Sequence, residues 1–114
     1  MSDCLFCDIA AGTIPANKVY ETETAVGFED INPQAPVHVL FIPREHVESA
    51  ADVTESHASV LVELFRAAAG HARARGIADD GFRIVTNVGD HAGQTVHHLH
   101  LHLVGGRQMG WPPG

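Results

Sequence analysis

His98-Leu99-His100-Leu101-His102 decides how this chain is read. A β-strand sends alternate side chains to opposite faces, so this stretch puts three imidazoles on one face and Leu99, Leu101 and Leu103 on the other. The leucine face packs into a core, and the imidazole face is left for chemistry. Imidazole changes charge near neutral pH, so three in a row offer a nucleophile, a proton donor and a cation side by side.

Outward from this row, the spacing predicts a strand over 96–104, ended by Gly105-Gly106, with a polar loop at 89–93 and a strand over 82–88 before it. Between Thr54 and about Arg75, Val60, Leu61, Leu64, Phe65, Ala68 and Ala72 recur at intervals of three and four, which predicts one long amphipathic helix. Thr54 or Asp52 can cap its start and Gly76 its end. His38 to Ile42 reads as an apolar strand closed by Pro43, with His38, Leu40 and Ile42 on one face. Lys18 to Glu21 and Ala25 to Asp30 read as a hairpin, and Leu5 to Ala11 as a short helix stopped by Gly12. This order predicts one α+β domain over 1–114, an antiparallel sheet with the helices on one side and the histidines on the other. Residues 105–114, with Trp111 and two prolines, read as an extended C-terminal tail.

The chain has 114 residues, enough to bury a core without disulfides, and a net charge of −7 with only seven Lys and Arg. That balance argues against DNA or RNA as partner, because phosphate polymers are held by many basic side chains. A small phosphorylated ligand stays open, since backbone N–H groups and protonated histidine can hold one phosphate locally. No apolar run approaches the roughly 20 residues of a membrane span, and the N-terminus lacks the regions of a signal peptide, so a cytoplasmic protein that does not enter membranes is expected. In a reducing compartment, Cys4-x-x-Cys7 reads as a metal site or a redox pair rather than a structural disulfide. Gly93, Gln94 and Thr95 just before the row supply hydroxyl, amide and backbone donors that suit a phosphate without lysines.

His98-x-His100-x-His102 followed by Leu103-Val104 resembles the motif of the histidine triad family. The likeness extends to Asp30-Ile31 before a Pro-rich turn, to His38 on the strand ending Ile42-Pro43, to Asn87, and to Gly105-Gly106-Arg107-Gln108-Met109 and Trp111-Pro112-Pro113-Gly114, which are similar to the Hint branch. The resemblance implies that His100 is a nucleophile attacking the α-phosphorus of a nucleoside 5′-phosphoramidate or acyl-adenylate. A nucleotidyl-histidine then forms and is hydrolysed to AMP. His102, His98 and His38 would complete the catalytic network. Asp30, Ile31, Asn87, Gly93, Gln94 and Thr95, with His100 and His102, would bind a purine nucleotide, and Trp111 would stand on the leaving-group side.

No metal is needed for that chemistry, but the bacterial-type Cys4-x-x-Cys7 implies a structural Zn2+ held with His46 and His98, two thiolates and two imidazoles making a normal tetrahedral set. His98 would then be a fixed neutral ligand. The resemblance also implies a homodimer with a continuous sheet joined along 82–88, the tail of one copy crossing to the other's site. Pairing of an exposed edge would remove an aggregation risk. A dinucleoside polyphosphate hydrolase and a non-catalytic purine nucleotide-binding module are the alternatives. His97, where the family usually has an aromatic, falls on the leucine face and is expected partly buried, while His57, His71 and His91 are expected in solvent.

Overall fold

A computed structural model describes residues 2–114. Helix α1 (Leu5–Ala11) is followed by the hairpin β1 (Lys18–Glu21) and β2 (Ala25–Glu29), then β3 (Val37–Pro43), the long helix α2 (Ala58–Ala74), β4 (Phe82–Val85) and β5 (Leu101–Gly105). The strands form one antiparallel sheet in the order β1-β2-β3-β5-β4. The α+β class and the antiparallel sheet thus follow the expectation. Among the described residues no helix is long and apolar enough to cross a membrane.

Local chemistry sets the element ends. Cys4 caps α1, its sulfur accepting from the Cys7 N–H, and Gly12 ends the helix in a left-handed conformation (φ 80°) that other L-residues rarely adopt. Helix α2 begins one turn later than the spacing predicts, because Glu55–His57 form a tighter 3-10 turn. Thr54 and His57 cap that turn reciprocally, as a Ser/Thr and a Glu would in a capping box.

The helices do not share one side of the sheet, as the sequence had suggested. The apolar stripe of α2 (Leu64, Ala68, Ala72) packs on Val39 and Phe41 of β3 and Leu101 and Leu103 of β5. Helix α1 covers the other face, where Phe6, Ile9 and Ala10 meet Val26, Phe28, Leu40 and Ile42. Seven residues are too short to stand alone as a helix, so α1 depends on that second core. Replacing fully buried Leu103 by Ala costs about 2–5 kcal/mol through lost burial and the cavity left behind.

Polar ties fix the layers to one another. The Glu63 carboxylate of α2 accepts from Tyr20 (2.7 Å), Thr22 (2.6 Å) and Thr24 of the hairpin. Arg44 donates to the carbonyls of Thr22 and Ala10 and to Glu21, clamping α1 and the hairpin to the end of β3.

Two strands are shorter than expected, for one reason. The β3–β5 ladder stops at Phe41–Leu101. Beyond it Pro43 has no N–H to give, and its carbonyl accepts from the His98 ring (2.8 Å) instead of from a backbone N–H. The Leu99 N–H goes to the Val47 carbonyl, so residues 96–100 run beside the sheet without joining it. Strand β4 loses its neighbour at the same level, pairing last at Val85–His102 and ending three residues before Val88.

Candidate active site

Strands β3 and β5 lie side by side, with Leu40 opposite His102 and His38 opposite Val104. That register brings His38 Nε2 to 2.9 Å from His102 Nδ1. His100, one residue before the ladder, has its ring centroid 5.0 Å from that of His102 and 5.0 Å edge-on from Phe6 of α1. All three triad imidazoles therefore lie on the α1 side of the sheet, as the alternation predicts, although only His102 is in a strand.

Hydrogen bonds assign the ring protons. The His100 Nδ1–H donates to the His98 carbonyl at 2.6 Å, which leaves Nε2 bare and opening on a cleft. His38 Nδ1 accepts from the Gln34 N–H (3.0 Å), so its proton is on Nε2, facing His102 Nδ1 and, at 3.4 Å, Asp30 Oδ2. His102 in turn carries its proton on Nε2. Burial lowers the pKa of His38 and His100 below the ordinary imidazole value. Burial, with His100 and His38 close by, takes His102 down to about 4. The row is uncharged at neutral pH, as a nitrogen nucleophile must be.

His102 lies between two clefts. The first, of about 350 Å³, has apolar walls from Phe6, Ile9, Phe28, Ile31 and Leu40, and at its floor are His100 and the carboxylate of Asp30. Ile31 is fully exposed at its lip, an unusual place for an apolar side chain unless something flat covers it. The second cleft, of about 510 Å³, is lined by Asn87, Arg83, His38, His102 and the tail residues Arg107 and Met109. Trp111 is 83% exposed, its ring 5.9 Å from the Arg83 guanidinium. Such dimensions suit a small ligand.

His98 lines neither cleft. It is fully buried and points the other way, its Nδ1 3.3 Å from Cys4 Sγ and 3.5 Å from Cys7 Sγ, while His46 Nδ1 is 3.4 Å from Cys7 Sγ. Around a tetrahedral zinc with Zn–S of about 2.3 Å and Zn–N of about 2.0–2.1 Å, sulfur and nitrogen ligands stand about 3.5 Å apart; these three pairs have that spacing, and all four donor atoms lie within 4.8 Å of one another. Both rings turn their Nδ1 to the sulfurs and hold Nε2 on an acceptor, Pro43 carbonyl for His98 and Glu48 for His46, which is the outer support that metal-bound histidines use. Burial and the Cys4 thiol push the Cys7 thiol up to about 11, so ion binding must displace a proton.

The remaining sequence expectations divide. Gly93 and Gln94 shape the site rather than face it. The buried Gln94 amide donates to the Glu48 carbonyl (2.8 Å) and accepts from the Gly89 N–H (2.9 Å), and its own N–H goes to the Gly89 carbonyl. Thr95, exposed, is left at the cleft edge. His97 is exposed, contrary to expectation, because residues 96–100 leave the sheet, although Leu99 stays buried. His57 is buried, not solvated, since its ring accepts from the Thr54 N–H and reaches Glu45. His71 is half-buried against Phe41 with a buried, unpartnered Nε2, and His91 is exposed as expected.

Several participants escaped the sequence reading. The carbonyls of Pro43 and His98 and the N–H of Gln34 set the ring protons, and backbone groups carry no residue signal. Phe6 could have been found as an apolar residue of α1 facing the histidine side.

The scavenger mRNA decapping enzyme C-terminal binding model matches residues 3–111. Over 108 residues the chain is 40% identical to the purine nucleoside phosphoramidase of Escherichia coli (strain K12), covering 95% of this chain and 91% of that one. It is 44% identical to the 14 kDa zinc-binding protein of Brassica juncea over 114 residues, 98% of this chain and all of that one. A solved HIT family hydrolase from Legionella pneumophila superposes with a TM-score of 0.96 at 47% identity, covering 98% of this chain and 100% of that one. With the triad in place and matches that span nearly its whole length, the chain belongs to the histidine triad family, among its hydrolases.

Proposed function

We propose that the chain hydrolyses purine nucleoside 5′-phosphoramidates and acyl-adenylates at the α-phosphorus, adenosine preferred, releasing AMP. One observation carries this reading: the His100 Nδ1–H is held by the His98 carbonyl, so a neutral imidazole presents a bare Nε2 beside a cleft of nucleoside size. The phosphoramidase name of the Escherichia coli relative supports it. The purine would lie between the apolar walls under Ile31, the ribose hydroxyls would donate to Asp30, and Asn87 and Thr95 would reach the phosphate and sugar from the two sides. Gly93 and Gln94 hold Thr95 in place, and Trp111 stands beyond the leaving group.

In the first step His100 Nε2 forms a bond to phosphorus as the phosphorus–nitrogen bond breaks. The departing nitrogen keeps that electron pair and takes a proton from His102. His102 is uncharged in the empty site, and the substrate's phosphoryl anion favours its protonated form, which takes a proton from solvent. The His38 Nε2–H, staying on its ring, then hydrogen-bonds to the Asp30 carboxylate. Water next attacks phosphorus, the bond to His100 breaks with its electrons returning to the ring, and the water proton returns to His102.

His98 takes no part in proton transfer. Cys4, Cys7, His46 and His98 would hold a structural zinc, which fixes the segment whose carbonyl orients His100; the zinc-binding Brassica relative supports this. We also read the working form as a homodimer, paired through β4 at the sheet edge and the exposed Phe65 of α2.

The test is AMP release in the presence of chelator from adenosine 5′-phosphoramidate, with diadenosine polyphosphate as the competitor. Faster cleavage of the phosphoramidate is expected; preference for the polyphosphate, or AMP binding without turnover, would overturn the reading. Light scattering should give twice the chain mass, and a monomer would defeat the dimer.

A further inference from the structure

Two clefts meet at His102, and their charges differ. The nucleoside cleft has the carboxylate of Asp30 at its floor. The second cleft contains two guanidinium groups, Arg83 and Arg107, with His38, His102 and Asn87, and no carboxylate. In a chain with fourteen Asp and Glu against seven Lys and Arg, a cationic cleft with no acid is a departure that composition does not predict.

Neither arginine makes an ion pair, although Asp80 lines the adjoining cavity beside both. Among the described residues the Lys and Arg ion pairs join Lys18 and Arg44 to Glu21 and Arg75 to Glu29. Arg83 donates to the Gly110 carbonyl, and Arg107 donates to the carbonyls of Gln34 (3.1 Å) and Gln108 (3.3 Å). These neutral acceptors and the ring of Trp111 fix both guanidinium groups beside the cleft, leaving their charge and other N–H groups uncommitted. The Gln34 carbonyl that holds Arg107 belongs to the residue whose N–H sets the His38 ring, so the cationic wall and the proton-handling histidines share one support.

We propose that this cleft selects leaving groups that carry negative charge, with Arg83 and Arg107 as the specificity-determining residues. The inference rests on the phosphoramidase reading and deepens it. The nucleotide occupies the first cleft, so what departs from phosphorus must leave through the second. Carboxylate-bearing amines are the class it fits, and amines bearing an extra cation are the class it repels.

The experiment uses three adenosine 5′-phosphoramidates with the same nucleotide and the same bond to be cleaved. Their leaving amines are glutamate, its uncharged diamide, and lysine amide. kcat/KM should fall in that order, the glutamate compound exceeding the lysine amide by about tenfold or more at low salt, with the gap narrowing as salt rises. The ratio should collapse in the Arg83→Gln, Arg107→Gln double variant and persist in Arg66→Gln, a change on the far side of the sheet. Equal rates for the three compounds, or an unchanged ratio in the double variant, would overturn the proposal. The same compounds are titrated against His100→Asn, where binding alone is read. The same order there with no wild-type turnover would refute the enzymatic reading and keep the cleft assignment, and no order there would refute the assignment.

Discussion

His98 and His100 are two residues apart and do opposite things. His98 gives its Nε2–H to the Pro43 carbonyl and turns a bare Nδ1 to two sulfurs; His100 gives its Nδ1–H to the His98 carbonyl and turns a bare Nε2 to the cleft. Both rings are buried and both have a pKa lowered first by burial. On the proposed reading, what would make one ring a metal ligand and the other a nucleophile is which backbone carbonyl lies within reach of which ring nitrogen. His98 links the two ends, its ring among Cys4, Cys7 and His46 and its carbonyl on the His100 ring.

The largest effect expected from breaking this arrangement is on the nucleophile. His100→Asn should lower phosphoramidate turnover by about a thousandfold or more, as loss of a covalent catalyst does, while one zinc per chain is retained. A variant that also loses zinc by metal analysis would show that the two ends are not separable.

Next comes the metal end. Cys7→Ser, or prolonged chelation, should remove the zinc and lower the melting temperature by about 10 °C or more, since structural zinc contributes folding energy directly. Turnover should fall with it but recover in part on zinc return to the chelated wild type. Zinc that survives the loss of both cysteines would place the ion on the histidine row instead.

The acid limb of stability sharpens the comparison further. The folded-state pKa of His102 lies below its unfolded value near 6.5, so the unfolded chain binds more protons between the two. Stability is fully present above about pH 6.5 and is lost as pH falls toward about 4, by roughly 3 kcal/mol from this ring alone. His38 and His100 add in the same direction. Urea midpoints measured from pH 7 to 4 should therefore fall, and His102→Gln should flatten the slope. An unchanged slope would mean that His102 is not held neutral by the fold.

The smallest effect belongs to His97, the immediate neighbour of His98. Because His97 is exposed, His97→Gln should change stability by about 0.5 kcal/mol or less, and a larger loss in thermal melts would put it back in a packed position.

Much of this was legible in the sequence. Strict alternation placed the imidazoles opposite the leucines, and Cys4-x-x-Cys7 with His46 and His98 assembled as the resemblance implied. The strand shortened at 96–100, where Pro43 ends the ladder and a side chain replaces the backbone donor, and there the burial expected from alternation failed at His97, which turned outward. The short helix was foreseen at Leu5 to Ala11, but its placement on the histidine face was not, because seven residues do not show which side of a sheet they cover. The ring protons were invisible because their partners are main-chain atoms, and the two arginines of the second cleft come from β4 and the tail, far apart in sequence.

The account stands on His100 Nε2 bonding to phosphorus. Rapid quenching of the wild-type protein with adenosine 5′-phosphoramidate in chelator, followed by mass analysis of peptides, should find an adenylyl group on the peptide carrying His100, absent from His100→Asn. AMP release at full rate with no adduct, or an adduct on His98 or His102, would contradict it.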